Sequence, residues 1–445
     1  MSGQLLKPGQ VVQTASGVPC RVGRLLGSGT QGEVYQCEWG GADFALKWYF
    51  PQQAKPAQRD SLAALIAQGS PTPHFLWPQD LAHAGQVDGF GYVMRLRDAR
   101  YRGLVDLVSG RMDIAAIALI NAALELTKAM RALHTRGLCY RDISFGNAFI
   151  DPDEGQILVC DNDNVTVNRT PWSDVGGTMG FMAPEVVLGE VPSRTSDLHS
   201  LAVLLFHMLF IGHPLMGRRM LSIRSWDAVA QRELFGKQPV FIFDPDETSN
   251  EALDTDADPS GECGGTALAY WRIYPQFLRD AFTQAFTAGL RIPTQRPTDL
   301  EWLNTLARLR DSIYRCRCGT PNYYDPTVVA GVLQPPPPCW SCGHAPTLPF
   351  RIRLGKKVVM LNFDTRLYLH HLAGEDAAFD YSKALAEVTR HPTDPDRWGL
   401  KNLGSTKWVA TLNDGSVRDV EPGRSASLAH NTRIAFGRVE GVIRY

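Results

Sequence analysis

Asp142 and Asn147 stand five positions apart in the octet Tyr140-Arg-Asp-Ile-Ser-Phe-Gly-Asn147. Held on one tight loop, an acid in that place aims a hydroxyl at a γ-phosphate, and the amide holds the metal that neutralises it. Lys47 is the single charge in the apolar run Phe44-Ala-Leu-Lys-Trp-Tyr49. A charge there needs a partner, and the α/β-phosphate oxygens of a nucleotide supply one; a snorkelling edge lysine is the plainer alternative. The chemistry these types and spacings suit is phosphoryl transfer.

The elements that would position them lie before and after the octet. Gly27, Gly29 and Gly32 sit between the alternating apolar runs Val22–Leu26 and Val34–Trp39, at the tip of an expected hairpin. Backbone without Cβ can close over phosphates there. The same triad could mark a nucleotide-binding strand-turn-helix unit, but a β-type run follows it rather than a helix. Downstream, Ile157–Cys160 reads as a short buried strand ending at Asp161, Gly177–Glu185 ends in Ala-Pro-Glu, Ser196 opens an apolar helix to Leu209, and Arg296 is a cation placed to pair with Glu185.

With these motifs in chain order, residues 14–312 resemble the eukaryotic-like Ser/Thr protein kinases, in a bacterial branch. The resemblance includes Leu133-His-Thr-Arg-Gly137 ahead of the loop. It implies an α+β, bilobal fold with an N lobe over 14–96 and a C lobe over 97–312. It implies Asp142 as the base, Lys47 orienting the phosphates, and Asn147 and Asp161 holding Mg2+. ATP would lie between Gly27, Gly29, Gly32 and Val34 above and Met94 at the hinge. Arg141 would receive a phosphate on the activation segment, for which Thr166, Thr170 and Ser173 are the candidates. Ala183-Pro184-Glu185 and a full activation segment disfavour a small-molecule kinase of the aminoglycoside type.

Several positions depart from that pattern. Tyr140 replaces a His, and Ser144 stands where a Lys is usual, so a cation near the transferring phosphoryl must come from elsewhere. Asp161-Asn162-Asp163 replaces Asp-Phe-Gly; the extra acid or amide could bind magnesium or lie on a solvated turn. No Glu occurs between Glu38 and Glu125, so the helix marked by Leu62, Leu65 and Ile66 lacks the acid that normally pairs with the strand lysine. Asp60 is the acid available, either as the Lys47 partner or as a helix-start acid favoured by the dipole.

The 445 residues are 44% hydrophobic and 20% charged, a soluble globular composition with room for two to four domains. A formal net charge of −1 offers no electrostatic reason for a nucleic-acid or anionic-membrane partner. No apolar stretch approaches the ~20 residues that span a bilayer, and the N-terminus has no secretory pattern. A cytoplasmic location is expected. Asp244–Glu262 holds eight acids and no Lys or Arg, and reads as a mobile, solvated insertion, with substrate docking as the alternative.

Five of the nine cysteines are scattered and read as reduced thiols. Cys316 and Cys318, then Cys339 and Cys342, form two close pairs, each followed by Gly and separated by twenty residues. That spacing matches a four-thiolate, structural Zn2+ ribbon over 313–347, against a disulfide pair or an unmetallated loop. Past it, over 348–445, short strands are expected at Lys357–Leu361, Arg366–Leu372, Lys407–Leu412, Arg433–Phe436 and Gly441–Tyr445, bounded by Asn-Asp-Gly and Pro-Gly turns, which implies a β-sandwich. Trp398-Gly-Leu-Lys-Asn-Leu-Gly-Ser-Thr-Lys-Trp408 resembles the C-terminal half of a forkhead-associated domain. Thr389-Arg390-His391 and Lys407 do not supply that family's phosphothreonine-binding pair, so an interaction module is favoured over a phosphopeptide reader.

Kinase, zinc ribbon and forkhead-associated-like sandwich after an N-terminal tail (1–13) resemble the kinase of the bacterial TerY-phosphorylation triad. That resemblance implies a protein substrate, a von Willebrand A-type TerY-like partner and a PP2C-type phosphatase in tellurite-resistance or stress signalling. The functional expectation is an ATP- and Mg2+-dependent, autophosphorylating Ser/Thr protein kinase; the alternative is a pseudokinase scaffold acting through its C-terminal modules.

Overall fold

In the computed structural model, which describes residues 4–445 apart from 86, 171–176, 326–335, 392 and 395–396, the chain folds as two compact units. One comprises residues up to 268 with 282–300, the other 269–281 with 301–445.

The first unit opens with six antiparallel strands: β1 (Val11–Thr14), β2 (Pro19–Ser28), β3 (Gly32–Trp39), β4 (Ala42–Tyr49), β5 (Asp80–Ala84) and β6 (Val87–Arg95). They close in the order β1-β2-β3-β4-β6-β5. Strand alternation sorts the side chains of β4. Leu46 and Trp48 join Val22, Tyr35 and Val93 in the barrel core, whereas Ala45 and Tyr49 face the opposite cluster with Tyr92 and Met94. Lys47 shares that second face. The glycine triad does lie on the β2–β3 hairpin. A Cβ on Gly32 would sit 2.1 Å from the Trp48 carbonyl oxygen, so the hairpin can close on β4 only with glycine there; Gly27 and Gly29 face open space.

Helix α1 (Pro56–Gln68) follows β4, started by proline in its first turn and stopped by Gly69 at φ 69°. The helical part is built on Ala116–Thr135 and on Arg194–Phe210, whose residues from Ser196 onward are all buried. Ser193 and Ser196 form a reciprocal capping box at the start of the latter helix. Segment 244–262 is mostly exposed, as a solvated loop would be, and is anchored at a few buried residues. Asp258 caps the backbone N–H groups of Ser260 and Cys263, and buried Asn250 bonds the carbonyls of Leu215 and Val240.

The second unit holds the end of helix Asp299–Asp311, a two-stranded hairpin (Ile313–Arg315 with Pro321–Tyr323), and two sheets of six and four strands around one core. The expected strands at Lys357, Arg433 and Gly441 are present within a residue or two at each end, and the one at Lys407 begins at Trp408. The run Arg366–Leu372 is not one strand. It stops at Tyr368 and turns into the short helix Leu369–Leu372, because the His371 ring takes the Tyr368 N–H at 2.8 Å. The strands Arg351–Leu354, Ala384–Arg390, Val417–Val420 and Ser425–Ser427 were not anticipated. Among the described residues no helix is long and apolar enough to cross a membrane.

Candidate active site

The loop that carries the paired acid and amide is fastened from below. Asp197, 1% exposed, accepts the backbone N–H groups of Tyr140 (2.6 Å) and Arg141 (2.9 Å), and its Oδ2 lies 3.2 Å from His134 Nε2. The other ring nitrogen of His134 lies 3.0 Å from Asp299. Burial disfavours an imidazolium, but the two carboxylates outweigh it and raise His134 to about 9. Arg141 takes a left-handed φ of 76°, which turns the chain so that Asp142 follows at the open edge.

Asn147 Nδ2 bonds the Asp142 carbonyl at 2.8 Å and its carboxylate Oδ2 at 2.9 Å. This leaves Asp142 Oδ1 as the presented oxygen, and Thr178 Oγ1 donates to it at 2.7 Å. The Asn147 carbonyl accepts the Cys160 N–H at 2.9 Å, so Asp161 follows directly on the residue paired with Asn147. Asp161 has φ 50°, a left-handed conformation that Asp tolerates better than most. Burial pushes its carboxyl up, opposed by Lys47 at 3.4 Å.

Above the loop, Lys47 is 4% exposed and opposite both Val34 on β3 and Tyr92 on β6. Met94 faces Ala45 across the same ladder. Both belong to an apolar cluster with Leu158, against which Val34, Leu96, Phe149 and Cys160 are packed. An apolar face built from strand and loop residues beside a lysine suits an adenine with its phosphates running to the charges.

The chain matches the protein kinase domain family over residues 20–254. It belongs to the protein kinase family. Among its relatives are the protein kinase YegI of Escherichia coli, 24% identical over 68% of this chain and 47% of that protein, and the Ser/Thr-protein kinase CTR1 of Arabidopsis thaliana, 24% identical over 42% and 24%. The putative ribosomal protein S6 kinase alpha-1 of Caenorhabditis elegans is 39% identical over 21% of this chain and 12% of that protein. The chain thus spans less than half the length of these curated relatives.

Membership of the kinase family implies ATP and Mg2+, and the residues fit both. Asn147, whose Nδ2 is taken by Asp142, keeps Oδ1 as a hard donor, and Asp161 adds a carboxylate of the class magnesium prefers. The open space at Gly27 and Gly29 admits phosphate against bare backbone. Glu185 and Arg296 form a two-pronged pair at 2.7 and 2.8 Å, fixing the end of the activation segment.

One expected pairing of the kinase is replaced. Asp60 is exposed on α1, beyond its first turn, and Lys47 instead bonds Asp163 at 2.8 Å. The alternative role of Asp60 as a helix-start acid fails too, since the first turn has no acid. Of the regulatory candidates, Thr166 begins a bridge to Cys139, Thr170 donates to the Val167 carbonyl at 2.7 Å, and Ser173 lies outside the described residues. Sequence reading passed over Ala45, Phe149 and Cys160, although each neighbours a named residue by one or two positions.

In the second unit, Cys316, Cys318, Cys339 and Cys342 bring their sulfurs within 4.8 Å of one another. Cys316 and Cys342 are 3.6 Å apart and Cys318 and Cys339 3.8 Å, far from the ~2 Å of a disulfide. Those spacings fit the ~3.8 Å edge of a tetrahedron with ~2.3 Å zinc–sulfur bonds. Asp311, His370 and His371 also cluster. Here each Nδ1 accepts a backbone N–H, from Phe379 and Tyr368 respectively. With Nδ1 accepting, each ring's proton is placed on Nε2, and the His371 Nε2 points at Asp311 across 3.1 Å. With both Nδ1 lone pairs taken by backbone N–H groups, the trio is read as a hydrogen-bonded staple in which only the Asp311 carboxylate keeps lone pairs to spare.

Proposed function

We propose that this chain is an ATP- and Mg2+-dependent Ser/Thr protein kinase that phosphorylates a protein partner and itself. The observation that carries the reading is the Asp142–Asn147 pair, in which Asn147 restrains one carboxylate oxygen and leaves the other towards an incoming hydroxyl. Mg·ATP, when bound, supplies the γ-phosphoryl group and the charge that neutralises it. Asp142 Oδ1 would take the proton of the substrate Ser or Thr as its oxygen bonds the γ-phosphorus, while the bond from that phosphorus to the β,γ-bridging oxygen breaks and ADP leaves. Lys47 holds the phosphates, Gly27, Gly29 and Gly32 cover them, and Val34, Ala45 and Met94 seat the adenine. Arg141 is assigned to a phosphate added at Thr166, Thr170 or Ser173, which would order the segment.

The four cysteines are assigned to one structural Zn2+, supported by their tetrahedral spacing. The two-sheet region 348–445 is read as a forkhead-associated-like interaction module. The order of kinase, ribbon and sandwich supports a place beside a TerY-like von Willebrand A-type protein and a PP2C-type phosphatase in tellurite-resistance or stress signalling, in the cytoplasm; that support is the resemblance alone. The boundaries 14–312, 313–347 and 348–445 belong to the same reading.

One observation favours a pseudokinase scaffold instead: Ser144 supplies no charge where a lysine would steady the phosphoryl group. Incubation of the full chain with γ-labelled ATP and Mg2+, with phosphate mapped by mass spectrometry, separates the two. Label in the wild type and none in Asp142→Asn supports the kinase. Tight nucleotide binding without label establishes the scaffold.

A further inference from the structure

Asp163 is an enclosed acid beside the site, 2% exposed with a side chain fully shielded from water. Four groups converge on it. Lys47 Nζ lies 2.8 Å from Oδ2, the Tyr49 hydroxyl donates to the same oxygen, and the Tyr92 hydroxyl reaches Oδ1 at 3.3 Å. From α1, Gln58 Nε2 bonds the Asp163 carbonyl at 3.2 Å and the Tyr49 hydroxyl at 3.3 Å. The cage follows from strand geometry, since Lys47 and Tyr49 lie two apart on β4 and Lys47 pairs with Tyr92 on β6. An ionised carboxylate survives such burial only when it is paired and hydrogen-bonded.

We propose that Asp163 is the positioning counter-ion of Lys47, the task a helix-borne glutamate performs in other kinases. The assignment rests on the kinase reading above. It has a mechanical consequence. The counter-ion sits two residues after Asp161, on the same short turn (Asn162–Asn164), so the lysine and the metal-binding acid are aligned by one segment. Among the described contacts of this cage, helix α1 supplies the neutral amide of Gln58 and no charge, so rotation of α1 would leave the Lys47–Asp163 pair intact. Assembly of the lysine is thereby uncoupled from the helix whose swing regulates kinases that carry the acid there.

A charge transplant tests this. Asp163→Asn removes the carboxylate at constant volume, and Gln58→Glu places one on α1 beside the same tyrosines. In the full chain, Asp163→Asn is expected to lower label transfer from γ-labelled ATP about 30-fold or more, through weaker hold on the phosphates as well as slower transfer. Gln58→Glu alone should lower it through like-charge crowding, and the double variant should recover at least tenfold over Asp163→Asn. A purely structural role would not be rescued by moving the charge. Calorimetric affinity for ADP with Mg2+ reads the same pattern if the wild type transfers no label, so loss of the kinase reading is told apart from loss of this one. Should Asp163→Asn not fold, Tyr92→Phe removes one bond to the carboxylate and should slow transfer a few-fold. Full transfer in Asp163→Asn, increased transfer, unaltered transfer in Tyr92→Phe, or absence of rescue would each overturn the proposal.

Discussion

Thr178 donates its hydroxyl to Asp142 Oδ1 across 2.7 Å, while Asn147 occupies Oδ2 at 2.9 Å. A residue of the activation segment thus sits on the one carboxylate oxygen that the loop leaves to a substrate. The carboxylate proposed as the base is held from both sides, by Asn147 through its own loop and by Thr178 from 36 residues away.

Removing the base should therefore cost more than removing its aim. Asp142→Asn is expected to lower transfer on the order of 10²-fold or more, with ADP affinity nearly unchanged. Thr178→Val should lower kcat about tenfold and Thr178→Ser much less, since serine keeps the donor. Initial rates with γ-labelled ATP decide; a Thr178→Val rate equal to wild type would reduce the hydroxyl to a bystander.

Stability should fall towards alkaline pH. His134 is raised from 6.5 to about 9 between Asp197 and Asp299. A group whose folded pKa exceeds its unfolded value contributes fully below about 6.5, and that contribution is lost as pH rises through about 9. The difference corresponds to about 3 kcal/mol. Melting temperatures from pH 6 to 10 should decline, and His134→Gln should be less stable at pH 6 with a flatter profile.

The Arg296 side chain is 1% exposed and bonded to Glu185 by both terminal nitrogens. Glu185→Gln removes the counter-charge and one of the two acceptor oxygens, leaving the guanidinium with a single amide oxygen beside the Thr195 and Gly289 carbonyls. A loss of about 3 kcal/mol is expected in urea unfolding, and a double variant with Arg296→Met should lose less than the sum of the single changes.

Cys339→Ser should release the metal assigned to the four thiolates and open 315–346 to protease, because zinc ligation supplies the folding energy of so small a segment. Metal content by mass spectrometry beside limited proteolysis measures both. Wild-type protein without stoichiometric zinc would sink the assignment.

Much of the site was legible in the residue order because its parts are local. The octet, the glycine hairpin and the strand ending at Asp161 each depend on neighbours within a few positions, where turn chemistry and alternation act. The same locality showed the cysteine pairs. What no local pattern could give was the partner of Lys47. Asp60 and Asp163 are both plausible acids by type, yet one lies on the exposed side of α1 and the other is enclosed by Tyr49 and Tyr92. That choice depends on how residues 47, 92 and 163, far apart in the chain, are brought together. His371 is a similar case, where a ring nitrogen captured a backbone N–H and ended a strand that its sequence would have continued. Sequence alone determined the family chemistry and the order of its parts, because those are written in short-range spacing; the tertiary structure decided which charges meet, because desolvation makes a buried carboxylate tolerable only where several distant groups converge on it.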